Sequence, residues 1–337
     1  MKLISVVTPC LNEAGNVTEL HQRIQAQFAQ LPGYDYEHVF IDNASTDRTV
    51  DEVKALAAVD PHVKLIVNAR NFGHVRSPVY GMLQASGDAV ILMASDLQDP
   101  PELIAPFVRE WEKGFKVVLG IKEQTVESFA MRLVRKWYYD LVCTLSEIEL
   151  ARDNTGFGLY DRTVIDVLSE IDDPYPYLRG LVSDIGFTAA KVPFLKPARK
   201  RGITKNNFYT LYDLAMLGIT SHSKVPLRLA AMLGFVLSGV SLCVALGYLV
   251  AKLLWWSKFS LGMAPVVIGL FFFSSVQLFF IGIIGEYVGA IHTQVLKRPL
   301  VVERERVNFE EPETHASVPS THRAVALTEG RRRVEAR

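Results

Sequence analysis

Cysteine is scarce in this chain, with three residues in 337: Cys10, Cys143 and Cys243. Their spacing does not suit a structural zinc site, and their odd number leaves one unpaired in any disulfide scheme, as fits a reducing compartment. Net charge is absent as well, since 36 basic residues balance 36 acidic ones. That removes the overall positive field by which a nucleic-acid-binding protein gathers its partner, so no nucleic-acid partner is expected and local clusters alone steer ligands. No Gly-x-Gly-x-x-Gly occurs, which takes away the dinucleotide fingerprint. The first apolar stretch, Leu3–Val7 ahead of Thr8 and Pro9, is too short for the apolar region of a secretory signal and reads as a first strand.

What is present is a repeated order of apolar run, polar loop and amphipathic helix. Leu3–Thr8 predicts a strand, followed by the loop Pro9–Asn16 and a helix with Val17, Leu20, Ile24 and Phe28 on one face. Glu37–Ile41 predicts a second strand ending in Asp42–Asp47, with a helix over Thr49–Ala58. Val63–Val67 leads into Arg70–His74 and a helix from about Ser77 to Ala85. Ala89–Met93 leads into Ala94–Glu102, where Asp99 reads as a helix N-cap with prolines at the first helical positions and Glu102 three residues after the cap. Four such units, with a further strand over Lys116–Gly120, predict an α/β domain with a parallel sheet and a nucleotide-type crevice at the carboxyl ends of its strands.

Two long apolar segments follow. Leu229–Ala251 runs 23 residues without a charge and Leu261–Gly285 runs 25, each enough to cross a hydrocarbon core that takes about 20 helical residues. Lys205, Lys224, Arg228, Lys297, Arg298, Arg304 and Arg306 flank the pair on one side, against Lys252 and Lys258 in the connecting loop. By the positive-inside rule the α/β domain and tail are cytoplasmic, in a plasma (inner) membrane protein with two spans. Trp255 and Trp256 then face the opposite interface, and Glu286 lies at headgroup level beside Tyr287. Thr125–Leu145 carries Phe129, Leu133, Trp137, Leu141 and Leu145 at spacing four among Arg132, Arg135 and Lys136. Such a helix either packs on the sheet or lies on an anionic bilayer, and the spans behind it favour the bilayer, as they do for the segment Asn207–Ile219. The expected domains are 1–224, cytoplasmic α/β with interface helices; 225–291, two transmembrane helices; and 292–337, a polar, mostly disordered cytoplasmic tail. A homo-oligomer is left open.

Thr8-Pro9-Cys10-Leu11-Asn12-Glu13, Asp42-Asn43-Ala44-Ser45-Thr46-Asp47, Arg70-Asn71-Phe72-Gly73 and Asp96-Leu97-Gln98-Asp99-Pro100-Pro101-Glu102 together resemble the successive motifs of family 2 glycosyltransferases with the GT-A, Rossmann-like fold. More narrowly the chain, from about residue 3 to 299, is similar to polyprenyl-phosphate glycosyltransferases such as dolichyl-phosphate mannose synthases and bactoprenol glucosyl transferases. The resemblance implies an inverting transfer of one sugar from a nucleotide sugar, UDP-linked by preference or GDP-mannose, to polyprenyl (undecaprenyl) phosphate in the bilayer, for cell-surface glycan modification. A catalytically degenerate membrane scaffold, or a transferase with another lipid or sugar acceptor, is the alternative.

The resemblance also implies roles. Asp96 and Gln98 would hold Mg²⁺ or Mn²⁺ through hard oxygen ligands, with Ala94 where the family has its first metal-binding acid. Pro9, Asn12, Glu13, Asp42, Asn71 and Gly73 would line the nucleotide, although Asp42 with Ser45 also reads as an Asx-type turn. Asn43 stands where a second aspartate is common, and Gly156 where the family has its catalytic base, leaving Asp153 as the substitute. A phosphate acceptor needs no base, because its second pKa of about 6 leaves it anionic at neutral pH. It needs cations, and Arg199, Arg201 and Lys205 supply them, with Lys200 and Thr204 between and with Arg132 and Arg135 as further candidates.

Overall fold

The strand β1 (Lys2–Cys10) sits mid-sheet, with Ile4, Val6 and Val7 fully buried. It pairs in parallel with β2 (Tyr34–Asp42) on one side and β4 (Ala89–Leu92) on the other. This computed structural model describes residues 1–122, 154–195, 197, 216–217, 220, 223–255 and 263–309. Within them the sheet has eight strands in the order β7-β5-β6-β4-β1-β2-β3-β8, with β3 at Val63–Asn68, β5 at Val117–Lys122, β6 at Asn154–Asp161, β7 at Ala189–Phe194 and β8 at Glu303–Val307.

The first four strands form the expected parallel unit, each followed by a helix: α1 (Val17–Phe28), α2 (Thr49–Val59), α3 (Gly73–Gln84), and a 3₁₀ turn at Pro101–Leu103 running into α4 (Ile104–Glu112). The predicted face of α1, Val17, Leu20, Ile24 and Phe28, is buried. Helix α3 lies close on the sheet because Gly81 has no side chain; a Cβ there would come within 2.8 Å of Val7 Cγ1 and 3.1 Å of Ile41 Cγ2. The chain passes from β1 toward β2 in one direction and returns to place β4 on β1's other side. The strand order therefore switches between β1 and β4, and the loops leaving their carboxyl ends diverge to open a crevice.

The sheet is mixed rather than parallel throughout. Strand β6 inserts antiparallel between β4 and β5, and β5 pairs in parallel with β7. Two glycines permit this: a Cβ on Gly120 would meet the Phe157 ring at 2.8 Å, and one on Gly158 has no room against the Val118 carbonyl. Two short helices, α5 (Arg162–Glu170) and α6 (Leu178–Ile185), complete this half. Asp161 caps α5 by accepting from Thr163 N–H.

Two local expectations are corrected. Asp99 does not cap the following helix; its carboxylate turns back to accept from Ala94 N–H at 3.0 Å, and Pro100 stands at the cap position. Glu102 instead binds Arg23 of α1 through both carboxylate oxygens, at 2.7 and 2.9 Å from the same guanidinium nitrogen. The tail beyond Pro299 is not disordered at its start. β8 pairs antiparallel with β3, Ala69 N–H donates to the Val302 carbonyl at 2.9 Å, and Asn308 donates to the carbonyls of Ala57 and Val63 at 2.7 and 2.9 Å.

Between the domain and β8 run two helices, α7 (Val225–Leu254) and α8 (Met263–Val295), and both are long and apolar enough to cross a membrane. Their apolar side chains are outside: Phe235 is 78% exposed and Leu278 is 68% exposed. A core helix of a soluble protein would have these buried. Tyr287 OH donates to the Ser223 carbonyl at 2.7 Å, which sets Glu286 level with the start of α7 and its Lys224. Helix α8 then continues past Glu286 to the domain, where Gln294 bonds Asp173 at 2.9 Å and Lys297 bonds Asp172 at 2.7 Å.

Candidate active site

The crevice is a cavity of about 670 Å³ at the carboxyl ends of β1 and β4, within the ~300–1,000 Å³ typical of small-molecule sites. Four loops build it. The first two are laced together: Asn12, in the left-handed region at φ 57°, accepts from Thr46 N–H at 2.7 Å and donates its own N–H to Ser45 Oγ at 2.9 Å. Glu13 N–H donates to Thr49 Oγ1 and Ala14 N–H to Asp47. Burial opposes ionisation of Asp47, but hydrogen bonds from Thr49 and Ala14 prevail and hold its carboxyl below the usual value. These contacts fix the backbone of residues 9–13 as one wall.

Asp42 is fully committed. It is 1% exposed, and its two carboxylate oxygens accept from Ser45 N–H (2.9 Å) and Ser45 Oγ. It closes the Asx-type turn behind the wall and does not line the cavity, whereas its neighbour Asn43 does. Asn43 holds the third loop, accepting from Phe72 N–H at 2.8 Å and donating to the Gly73 carbonyl at 3.1 Å. Gly73 needs its φ of +86° to start α3 at that point. Cys10 lies on the cavity floor with its thiol directed at the Thr8 carbonyl. Burial, then Asp42, Glu13 and Asp47, push its pKa up, so it presents a neutral thiol and no nucleophilic thiolate.

Asp96 enters from the loop after β4. Gln98 N–H donates to Asp96 Oδ1 at 3.1 Å, and the Gln98 side-chain amide donates to the Pro197 carbonyl at 3.3 Å. Gln98 therefore lies behind Asp96, outside the cavity lining. Among the described residues no group of three or more His, Cys, Asp or Glu side chains is arranged to hold a metal unaided. The carboxylates that line the crevice, Glu13, Asp96 and Asp99, offer hard oxygen donors. Such a set fits Mg²⁺ or Mn²⁺ taking most of its ligands from phosphate and water, and does not fit a softer ion that wants imidazole or thiolate.

The remaining wall comes from β6 and α6. Gly156 sits at φ +91°, and among the described residues a Cβ there would meet nothing nearer than Leu92 Cδ2 at 3.8 Å. Arg179, from the first turn of α6, and Tyr177 beside it also line the cavity, as does His74 at the start of α3.

Of the expected site residues, Pro9, Asn12, Glu13, Asn71, Gly73 and Asp96 come together in this crevice. Asp153, Arg132, Arg135, Arg199, Lys200, Arg201, Thr204 and Lys205 lie outside the described residues, as do the segment 125–145 and nearly all of 207–219. Asn43, His74, Tyr177 and Arg179 are in the site and were not anticipated as such. The available signal for Arg179 was its position after Pro174-Tyr175-Pro176-Tyr177, two rigid proline–aromatic pairs that lead straight into an apolar helix.

A wall of backbone and small polar groups, one carboxylate at a strand end and a cation facing the same space can receive a diphosphate-linked ligand. Residues 5–164 match the family described as glycosyl transferase family 2. An uncharacterized glycosyltransferase of Bacillus subtilis is 33% identical over 307 residues, 91% of this chain and 94% of that protein. The SfII prophage-derived bactoprenol glucosyl transferase of Shigella flexneri is 31% identical over 297 residues, 88% of this chain and 96% of that protein. Among solved structures, a mannosyltransferase of Pyrobaculum calidifontis in complex with GDP-Man and Mn²⁺ aligns with a TM-score of 0.45 at 15% identity, covering 87% of this chain and 86% of that one. With relatives this similar along nearly its whole length, and with the crevice that its motifs build, the chain belongs to glycosyl transferase family 2 and is a glycosyltransferase with the GT-A fold.

Proposed function

We propose that the protein transfers one sugar, with inversion, from a nucleotide sugar to a polyprenyl phosphate at the cytoplasmic face of a membrane, with a UDP-sugar as the favoured donor and GDP-mannose as the other candidate. The observation that carries this reading is the join between crevice and helices: the chain that leaves α8 binds Asp172 and Asp173 and then enters the same sheet that forms the crevice. A site tied this closely to two membrane-length helices suits an acceptor that resides in the bilayer. The bactoprenol glucosyl transferases among its relatives are named for such an acceptor.

In this reading the nucleotide lies along the wall of Pro9, Asn12 and Glu13, with Asn71 and Gly73 closing over it and Asp42 shaping the turn behind. Asp96 would hold the divalent cation, which when bound carries charge on the departing diphosphate. The acceptor's phosphate oxygen attacks the anomeric carbon from the opposite face as the bond to the nucleoside diphosphate breaks. Gly156 supplies no base, and none is needed for an oxygen that is already anionic. Fixed cations must instead bring two sets of phosphates together. The basic run Arg199–Lys205 follows Pro197, whose carbonyl is tied to Gln98 of the Asp96 loop, and Arg132 and Arg135 are further candidates for the same task.

The two-span topology has support of its own. β3 precedes α7, β8 follows α8, and the two strands are hydrogen-bonded neighbours. That pairing puts the domain and residues 303–307 on one side and so favours an even number of crossings. The excess of Lys and Arg around them favours the cytoplasm. The test is to present the membrane-embedded protein with a panel of radiolabelled nucleotide sugars and undecaprenyl phosphate, with Asp96→Ala as control. Label enters the lipid phase for one donor and is lost in the variant. A wild-type protein that labels no lipid with any donor overturns the reading.

A further inference from the structure

Arg179 belongs to no motif that carried the site, yet it is the described cation best placed to meet a substrate. Its guanidinium carbon lies 5.1 Å from the Tyr177 ring centroid, a cation–π contact that steadies the group. It lines the same cavity as Asp96, His74 and Gly156. Its charge is felt on two sides at once. Desolvation at the cleft wall, and then Arg179, lower the pKa of His74. Arg179 likewise works against the burial that raises Tyr160, whose hydroxyl donates to the Gly156 carbonyl at 2.8 Å. The guanidinium thus shares one cavity with the first turn of α3 and the Gly156 stretch of β6. Among the described residues a Cβ on Gly156 would touch only Leu92, so the described wall leaves room beside it.

We propose that Arg179 docks the phosphate monoester of the acceptor in the space beside Gly156, with His74 bordering it. A dianionic phosphate beside a guanidinium forms a charge-assisted, two-pronged contact, and the absent side chain at 156 is the room it occupies. The assignment rests on the transfer to a lipid phosphate proposed above, but it concerns binding and is tested without turnover. The same guanidinium could be engaged by the donor's diphosphate, so the test has two arms.

Full-length protein in detergent micelles is titrated calorimetrically with farnesyl phosphate and, separately, with UDP in the presence of Mn²⁺, as wild type, Arg179→Gln and Arg179→Lys. Farnesyl phosphate binding weakens about tenfold or more in Arg179→Gln and is partly restored in Arg179→Lys, while UDP binding, which also reports an intact fold, stays within about twofold. Equal farnesyl phosphate binding in wild type and Arg179→Gln overturns the proposal, as does a wild type that binds none. A parallel loss of UDP binding overturns it too, and assigns the guanidinium to the donor. If farnesyl phosphate binding depends on Arg179 but no nucleotide sugar is ever turned over onto lipid, the docking site stands and the transfer reading falls.

Discussion

Asn43 and Gly73, which both line the crevice, are joined by a hydrogen bond that a carboxylate could not make: Asn43 Nδ2 donates to the Gly73 carbonyl at 3.1 Å. The Asn43 oxygen meanwhile accepts from Phe72 N–H at 2.8 Å and from Asn68 Nδ2 at 3.1 Å. An aspartate could keep the second pair of bonds but would set a carboxylate oxygen against the carbonyl. Asn43→Asp is therefore expected to loosen the Asn71–Gly73 loop and raise KM for the nucleotide sugar by roughly tenfold, with kcat changed less. Steady-state kinetics against donor concentration check this, and an unchanged KM would count against the loop's part in donor binding.

Asp96 is half-buried in the crevice lining and accepts a hydrogen bond from the Gln98 N–H at 3.1 Å. Asp96→Asn keeps its size and removes its charge. Transfer is expected to fall by about 10²–10³, and the dependence of nucleotide binding on Mn²⁺ to disappear, with the melting temperature little altered. Metal-dependent nucleotide binding that persists in this variant would remove Asp96 from the metal site.

Asp161 carries the clearest acid-linked stability. Burial favours its neutral form, but Trp111 Nε1 (2.7 Å), the Thr163 N–H (3.0 Å) and Lys116 (3.0 Å) overcome it and bring its pKa from 3.8 to about 2. A carboxylate with a depressed folded-state pKa stabilises fully above the unfolded value, and that contribution is lost as pH falls from about 4 through 2. Asp161→Asn is expected to cost on the order of 2 kcal/mol at neutral pH and to flatten the acid limb of stability between pH 4 and 2. Denaturant unfolding across that range decides it; a variant with the wild-type slope would show that the charge is not what stabilises.

Val307→Asp is expected to detach β8. Val307 packs against the cluster around Phe40, Val63 and Leu65, and a carboxylate there would be buried without a partner. Limited proteolysis should then cut within residues 300–309, and the unfolding midpoint should drop by about 5 °C. Continued protection of that segment would mean the strand holds on by its polar contacts alone.

The parallel core was readable because buried strands write themselves as apolar runs that close in polar loops, as in Ala89–Met93 before Ala94–Glu102. The other half was not. β6 holds Asn154, Gly156 and Gly158 in eight residues, a composition that argues against a strand; it is one because neighbouring side chains and carbonyls need the space that glycine leaves. β8, Glu-Arg-Glu-Arg-Val, reads as a solvated charge run, and the partners that hold it are distant: Lys54 on Glu305, Tyr80 on Glu303 and Gln84 on Arg306. Local signals misled at Asp99, where a cap pattern was present but the carboxylate found the Ala94 N–H first. Asp96, Asn12 and Gly73 were legible as site residues since their loops follow strands. Arg179 was not, because only the packing of α6 against β6 turns it toward the crevice.

The position of β8 in the chain bears on how the protein is made. The sheet edge at β3 is complete at residue 68, but its covering strand emerges from the ribosome only after residue 303, with both long helices in between. Throughout that interval β3 presents an unpaired edge, the kind of surface on which nascent chains associate wrongly. The edge closes only when the residues that follow α8 have come back to the domain. Closure of this sheet edge is therefore a late event in synthesis, set by the place of β8 after both long helices.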